Sequence, residues 1–128
     1  MKMWLKEERR LFAWMPVILW APIILFFSVL PARKIPLITV QHLDKAFHFF
    51  EFAILAFLMM RSFYRDIEHP LREKHVLFTL ISGSAYGIVL ELLQHFVPGR
   101  DAAAGDVVAN IAGIIFGILL GKIIVWQK

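Results

Sequence analysis

One uncharged run of 20 residues, from Leu11 to Leu30, limits what this chain can fold into more than any other feature of its sequence. About 20 apolar residues in a helix cross the ~30 Å hydrocarbon core of a bilayer. A secretory signal peptide is the alternative, but its apolar region is shorter and a small-residue cleavage site follows it. The residues after Leu30 offer no convincing site of that kind. The run therefore indicates a transmembrane helix.

Three shorter uncharged runs follow, and each can span a bilayer once its polar flanks are included. The chain is 59% hydrophobic and 19% charged, whereas soluble domains are about 25% charged. We predict an all-α membrane protein of one domain, residues 1–128. It forms a four-transmembrane-helix bundle with helices at about 11–30, 43–63, 75–96 and 105–126.

The placement of basic residues predicts how the bundle is oriented. Ten of the 14 Lys and Arg residues lie before the first span, between the second and third spans, or at the C-terminal end. By the positive-inside rule, both termini and the middle loop are cytoplasmic. The net charge of +4 thus reflects membrane topology, and we expect no nucleic-acid partner. The chain has no cysteine, which excludes disulfides and thiolate metal ligands, and no motif calls for a cofactor.

Polar residues recur at helical spacing on three of the four predicted spans. Spans two and four enter the membrane on the side where span three leaves it, so their polar faces can meet near the outer surface. The converging residues are Asp44, His48 and Glu51 on span two, Glu91 and Gln94 on span three, and Asp106 and Asn110 on span four.

Two interpretations of this convergence stay open. Carboxylates inside a membrane are costly and usually face a bundle interior or a water-filled cleft, where they mark functional sites. His48, Glu91 and Asp106 are the candidates for acid–base chemistry, and His48 with Glu51 has the spacing of a metal pair, so metal binding is undecided. The alternative is that the polar groups only hold the helices together.

Small residues and a turn complete the pattern. Gly113 and Gly117 lie four residues apart on span four and form a ridge of small residues on one helix face. This ridge predicts close packing against a neighbouring helix. Pro98 and Gly99 predict a type II turn before that span. Arg100 follows the turn, where its guanidinium would suit an anionic oxygen or a nearby carboxylate.

Two segments together resemble the VanZ-like proteins, small bacterial integral membrane proteins named for a teicoplanin-resistance accessory protein. The segments are DKAFHFFEFAIL, residues 44–55, and ELLQHFVPGRDAAAGDVVANIAG, residues 91–113. The resemblance implies a role at the cell envelope, in the cell membrane, with reduced susceptibility to teicoplanin-type lipoglycopeptides. With the polar faces above, it gives these ligand-binding candidates: Asp44, Lys45, His48, Glu51, Glu91, Gln94, Arg100, Asp106 and Asn110.

The leading hypothesis is an envelope protein whose outward-facing polar pocket engages an amphiphile. The expected partners are membrane lipids, a lipid-linked cell-wall precursor or the lipoglycopeptide itself. Oligomers of this small chain are also possible. The second hypothesis is an intramembrane enzyme that modifies a lipid head group by acid–base chemistry. A transporter is disfavoured, because four short helices leave little room for alternating access.

The orientation can be tested in this cysteine-free chain by adding single cysteines. We predict that a membrane-impermeant maleimide labels Arg100→Cys in intact cells and labels His69→Cys only after the cytoplasm is opened. The reverse accessibility would contradict the predicted orientation.

Overall fold

Four α-helices make up the fold. The computed structural model describes residues 2–30, 41–97 and 104–127, with the side chains of the second helix described from Lys45 onward. The helices are α1 (Lys2–Val29), α2 (Gln41–Arg65), α3 (His75–His95) and α4 (Ala104–Ile124), and a 3-10 turn at Arg72–Lys74 precedes α3. All four are long and apolar enough to cross a membrane. The described part of the chain contains no strand, so the predicted all-α, four-span class is confirmed.

The predicted boundaries agree with the observed ones within two residues, except at the start of α1. That helix begins at Lys2 instead of near residue 11 and continues through Pro16 and Pro22. Its first two turns consist of Lys, Glu, Arg, Met, Leu and Trp, most of which favour helix even outside a membrane. An ion pair of 3.1 Å from Lys6 Nζ to Glu68 Oε1 joins this extension to the segment between α2 and α3.

The helices alternate in direction, so α2 and α4 run parallel and pack against each other more closely than any other pair. Among the described residues, two side-chain hydrogen bonds join the middle of α1 to α2 and α3. Trp20 Nε1 donates to the backbone oxygen of Glu51 at 2.9 Å, and the Tyr86 hydroxyl donates to the backbone oxygen of Ala21. Both acceptors are helix carbonyls, which a buried Trp or Tyr reaches readily.

Glycines explain why α4 approaches α2 so closely. Gly113, Gly117 and Gly121 face α2, one helical turn apart. A Cβ added at Gly113 or Gly117 would overlap the backbone oxygen of Phe49 or Ala53, respectively. Backbone atoms of a packed helix cannot swing aside as a side chain can. The prediction that this ridge serves close packing is therefore confirmed.

Apolar side chains fill the interior and also cover the outside of the bundle. A soluble protein would hide its largest apolar surfaces, whereas lipid accepts them. The buried core includes Ile24, Phe52, Leu55, Met60, Phe63, Leu90 and Ile114, and the exposed set includes Leu19, Phe26, Ile81, Ile115 and Leu119.

Polar groups occupy both ends of the bundle, which we name by their contents. The loop end holds the start of α1, the α2–α3 connection and the end of α4. The site end holds the end of α1, the start of α2, the end of α3 and the start of α4.

The α2–α3 connection is more than the solvated linker that its mixed charges indicate. Asp66 is 5% exposed, and its carboxylate accepts hydrogen bonds from Trp14 Nε1 at 3.0 Å and Arg10 Nε at 3.4 Å. A buried carboxylate needs such donors because burial removes its hydration. Asp66 thereby fixes the first half of α1 to the connection.

A second set of contacts anchors the end of α4 at the same loop end. The rings of His75 and Trp126 stack at a centroid distance of 3.9 Å, and Lys122 Nζ lies 2.8 Å from His75 Nε2. An ammonium can only donate, so Nε2 is the acceptor and the imidazole is neutral. Its Nδ1–H then donates to the backbone oxygen of Arg72 at 2.8 Å.

The glycine ridge generates a prediction about stability. Gly113→Leu and Gly117→Leu should each lower the free energy of unfolding by at least about 3 kcal/mol, the upper part of the usual range for overpacking, because the clash is with rigid backbone. Thermal melting of the detergent-purified protein measures this loss. Ala112→Leu is the matched control, because Ala112 is exposed beside the ridge and should tolerate the larger side chain. Unchanged melting of both glycine variants would mean that α2 and α4 do not pack as described.

Candidate functional site

The candidate site lies at the site end, where three helices present a polar side chain at the same level. His48 lies in the second turn of α2, Glu91 in the last two turns of α3 and Asp106 in the first turn of α4. Parallel α2 and α4 with antiparallel α3 bring a helix start, a helix end and a second helix start together. An acidic residue in the first turn of α4 is also favoured by the helix dipole.

We call His48, Glu91 and Asp106 the polar triad. Each offers one ligand atom, and the three atoms all lie within 4.8 Å of one another. The distance from His48 Nε2 to Asp106 Oδ2 is 3.9 Å. All three residues are buried, with 3%, 5% and 4% of their surface exposed. The structure thus brings together the three residues that the sequence offers as acid–base candidates.

A second set of three residues lies one helical turn deeper in the bundle than the triad. It consists of Phe52 on α2, Gly87 on α3 and Asn110 on α4, each four residues from the triad member of its helix. A Cβ on Gly87 would lie 3.2 Å from Asn110 Nδ2 and 3.3 Å from Phe52 Cε1. Both distances are tighter than ordinary contacts. Gly87 therefore leaves the space that the Asn110 amide occupies.

Two buried amides lie about one helical turn from a triad member on the same helix, Gln94 from Glu91 and Asn110 from Asp106. Asn110 is 1% exposed and Gln94 is 2% exposed. Among the residues that the structure describes, neither amide atom of Asn110 has a hydrogen-bond partner, and neither does Gln94 Nε2. A buried polar group without a partner costs about 1–3 kcal/mol, so natural proteins rarely leave one. These amides call for water or a ligand beside the triad.

Lys45 and Glu51 lie near the triad but outside it. The exposed Lys45 side chain extends over the first turn of α4, with Cε 2.9 Å and Nζ 3.1 Å from where a Cβ on Gly105 would be. Glu51 is half-buried and one turn deeper than His48. The sequence pairs His48 with Glu51, whereas the structure groups His48 with acids from α3 and α4.

Two candidate ligand-binding residues cannot be placed. The side chain of Asp44 and all of Arg100 lie outside the described residues, as does the Pro98–Gly99 turn. Their part in the site stays a prediction.

One buried polar residue of α1 is not among the site residues that the sequence predicts. Ser28 is 2% exposed at the site end, and its Oγ has no hydrogen-bond partner within residues 2–30, 41–97 and 104–127. Sequence reasoning treats α1 as a plain span. The available signal is that Ser28 is the sole hydroxyl in the run from Leu11 to Leu30.

The triad places two carboxyl groups close together in a buried environment. Two carboxylate charges 4.8 Å apart or closer repel by about 3 kcal/mol or more at an effective dielectric constant of about 20. Burial adds a desolvation cost to each charge. A proton on one acid, a protonated His48 or a bound cation would relieve this repulsion. The arrangement can therefore exchange protons, bind a cation or hold a polar ligand.

Comparison with known proteins places the chain in a family. The model of the VanZ/LLP1 family matches residues 5–125, which include nearly all of the four helices and both segments that carry the triad. No curated protein and no solved structure matched the chain. With its four membrane-spanning helices, the chain belongs to the VanZ/LLP1 family and is a multi-pass membrane protein.

Proposed function

We propose that this VanZ/LLP1-family protein acts at the cell envelope by engaging an amphiphile at the polar triad, and that it thereby lowers susceptibility to teicoplanin-type lipoglycopeptides. The amphiphile is a membrane lipid, a lipid-linked cell-wall precursor or the lipoglycopeptide. One observation carries the proposal: an imidazole and two carboxylates from three helices lie within 4.8 Å of one another and are buried.

Interhelical adhesion explains this arrangement poorly. Hydrogen bonds between membrane helices average about 0.6 kcal/mol, which is less than the repulsion between two neighbouring buried carboxylates. The amides of Asn110 and Gln94 would also satisfy their hydrogen bonds in a cluster that served adhesion alone. Among the residues described, they do not. The close contact of α2 and α4 already holds the bundle through glycines, without help from charge.

The depth of the triad fits an amphiphilic ligand. Counted along the helices at ~1.5 Å per residue, His48 lies about 10 Å from the start of α2, Glu91 about 6 Å from the end of α3 and Asp106 about 3 Å from the start of α4. A ligand reaching this level meets polar atoms below the membrane surface. Large apolar side chains, Phe47, Phe50, Leu92 and Val108, are exposed on the same helix segments.

The charge of the residues around the triad indicates which head groups would fit. The Lys45 ammonium lies over the first turn of α4, where unpaired backbone N–H groups add positive potential. An anionic oxygen, as in a phosphate or carboxylate, would be stabilised there. Arg100 would add a second, bidentate donor if it lies where its sequence position places it.

The same triad favours a second function, an intramembrane enzyme that acts on a lipid head group. The supporting observation is the 3.9 Å distance from His48 Nε2 to Asp106 Oδ2, which is an ion-pair distance; the two groups would have to approach by about 1 Å to share a proton. In this alternative Glu91 or Asp106 is the general base, His48 is its acid–base partner and Arg100 holds a phosphate. Incubation of the purified protein with lipid-linked precursor, followed by mass spectrometry, separates the functions: an enzyme changes the precursor, and a binder returns it intact.

Conservative substitutions test whether the triad works as a site. Glu91→Gln keeps hydrogen-bonding capacity but cannot take a proton or bear a charge, and Arg100→Lys keeps charge but loses the bidentate fork. We expect both variants to lose the protection that wild type gives against teicoplanin, with expression and melting temperature near wild type. The measurement is the inhibitory concentration of the drug for cells carrying each variant.

Matched controls come from exposed positions on the loop end. Glu73→Gln and Arg9→Lys make the same chemical changes away from the triad and should leave protection unchanged. Full protection by Glu91→Gln and Arg100→Lys would refute a working site. A wild-type protein that gives no protection would refute the resistance role.

A further inference from the structure

The donor atoms of the polar triad are those of a metal site. An imidazole nitrogen and two carboxylate oxygens come from three different helices, and all three residues are buried. Imidazole with carboxylates suits the divalent transition metals, zinc among them. We propose that His48, Glu91 and Asp106 bind one divalent cation of the zinc type. This inference rests on the proposed function, in which the triad is a working site, and adds a metal ion that the sequence leaves undecided.

The geometry requires only small movements for such a site to close. A tetrahedral zinc ion with bonds of about 2.1 Å separates its ligand atoms by roughly 3.4 Å. His48 Nε2 and Asp106 Oδ2 are 3.9 Å apart, and no pair of the three atoms exceeds 4.8 Å. Rotation of side-chain torsions covers a difference of this size. The helices need not move.

Charge favours the cation. Two carboxylates carry two negative charges into a buried site, and a divalent cation balances them in full. A shared proton would relieve part of the repulsion. It would not explain the two buried amides one helical turn from the triad.

Those amides are the second, independent indication of a ligand. Asn110 is four residues from Asp106 on α4, and its Nδ2 reaches the surface of Gly87, one turn from Glu91. The amide therefore lies in the space between the helices that carry the triad, with no hydrogen-bond partner among the described residues. A metal-bound water would supply one. Metal ligands commonly depend on such outer hydrogen bonds for their orientation.

Three protein ligands would leave a coordination position open. Catalytic zinc sites have this composition, with water or substrate as the fourth ligand, whereas structural zinc sites use four protein ligands. The open position would accept the anionic oxygen of a head group. Calcium and magnesium fit less well, because calcium takes six to eight oxygen ligands and magnesium is held mainly by carboxylates, phosphates and water.

Metal binding can be measured without reference to drug susceptibility. The protein is purified in detergent without a histidine tag, stripped with chelator and titrated with Zn²⁺ by calorimetry, and bound zinc is counted by elemental analysis. We expect one Zn²⁺ per chain. His48→Gln, Glu91→Gln and Asp106→Asn should each weaken binding by at least about 100-fold, since loss of an outer-shell partner alone costs 10–100-fold.

Controls use the same residue types outside the triad. His95→Gln and Glu73→Gln change exposed side chains and should bind Zn²⁺ as wild type does. X-ray absorption of the zinc-loaded wild type needs no variant to fold, and we expect one imidazole with oxygen ligands. Absence of stoichiometric zinc, binding that survives the triad substitutions, or a shell with two or more imidazoles would overturn the proposal.

The two proposals can fail separately. If the triad variants lose protection but the wild type binds no zinc, the metal proposal is wrong and the proposed function survives. If zinc binds to the triad but no variant changes protection, the metal site stands and the resistance role is wrong.

Discussion

The close parallel packing of α2 and α4 is the contact on which the candidate site depends. Gly113 and Gly117 let α4 lie on the backbone of α2, and this contact sets the register that brings Asp106 to His48. A bulkier residue at either glycine would push the helices apart. It would also separate the imidazole from the carboxylate several turns away. In this protein, packing by the smallest residues positions the most polar ones.

The two ends of the bundle differ in how their buried polar groups are paired. At the loop end, several buried polar groups have partners that tie one segment to another, as when Asp66 accepts from Trp14 and Lys122 donates to His75. At the site end, two carboxyl groups and an imidazole lie within 4.8 Å of one another, and the Asn110 amide has no partner among the described residues. Groups that tolerate repulsion and unmet hydrogen bonds are typical of functional sites.

Much of the fold and of the candidate site could be predicted from the sequence. Uncharged runs and helical spacing predict the four spans and the shared level of His48, Glu91 and Asp106, because length and periodicity are local properties. The burial of Asp66 could not be predicted, because it depends on Trp14 approaching from 52 residues away. The metal pair that the sequence offers, His48 with Glu51, is not the group that the structure assembles, since the packing angles of three helices bring Glu91 and Asp106 to His48.

Native mass spectrometry of the protein released from its own membranes tests the central claim most directly, because it asks whether the triad holds a ligand at all. We expect the wild-type protein to retain a bound lipid or lipid-linked molecule of defined mass. Asp106→Asn should lose that molecule, while the exposed substitution Ala112→Leu should keep it. A wild-type protein without any retained molecule, or an Asp106→Asn variant that retains it fully, would contradict the account.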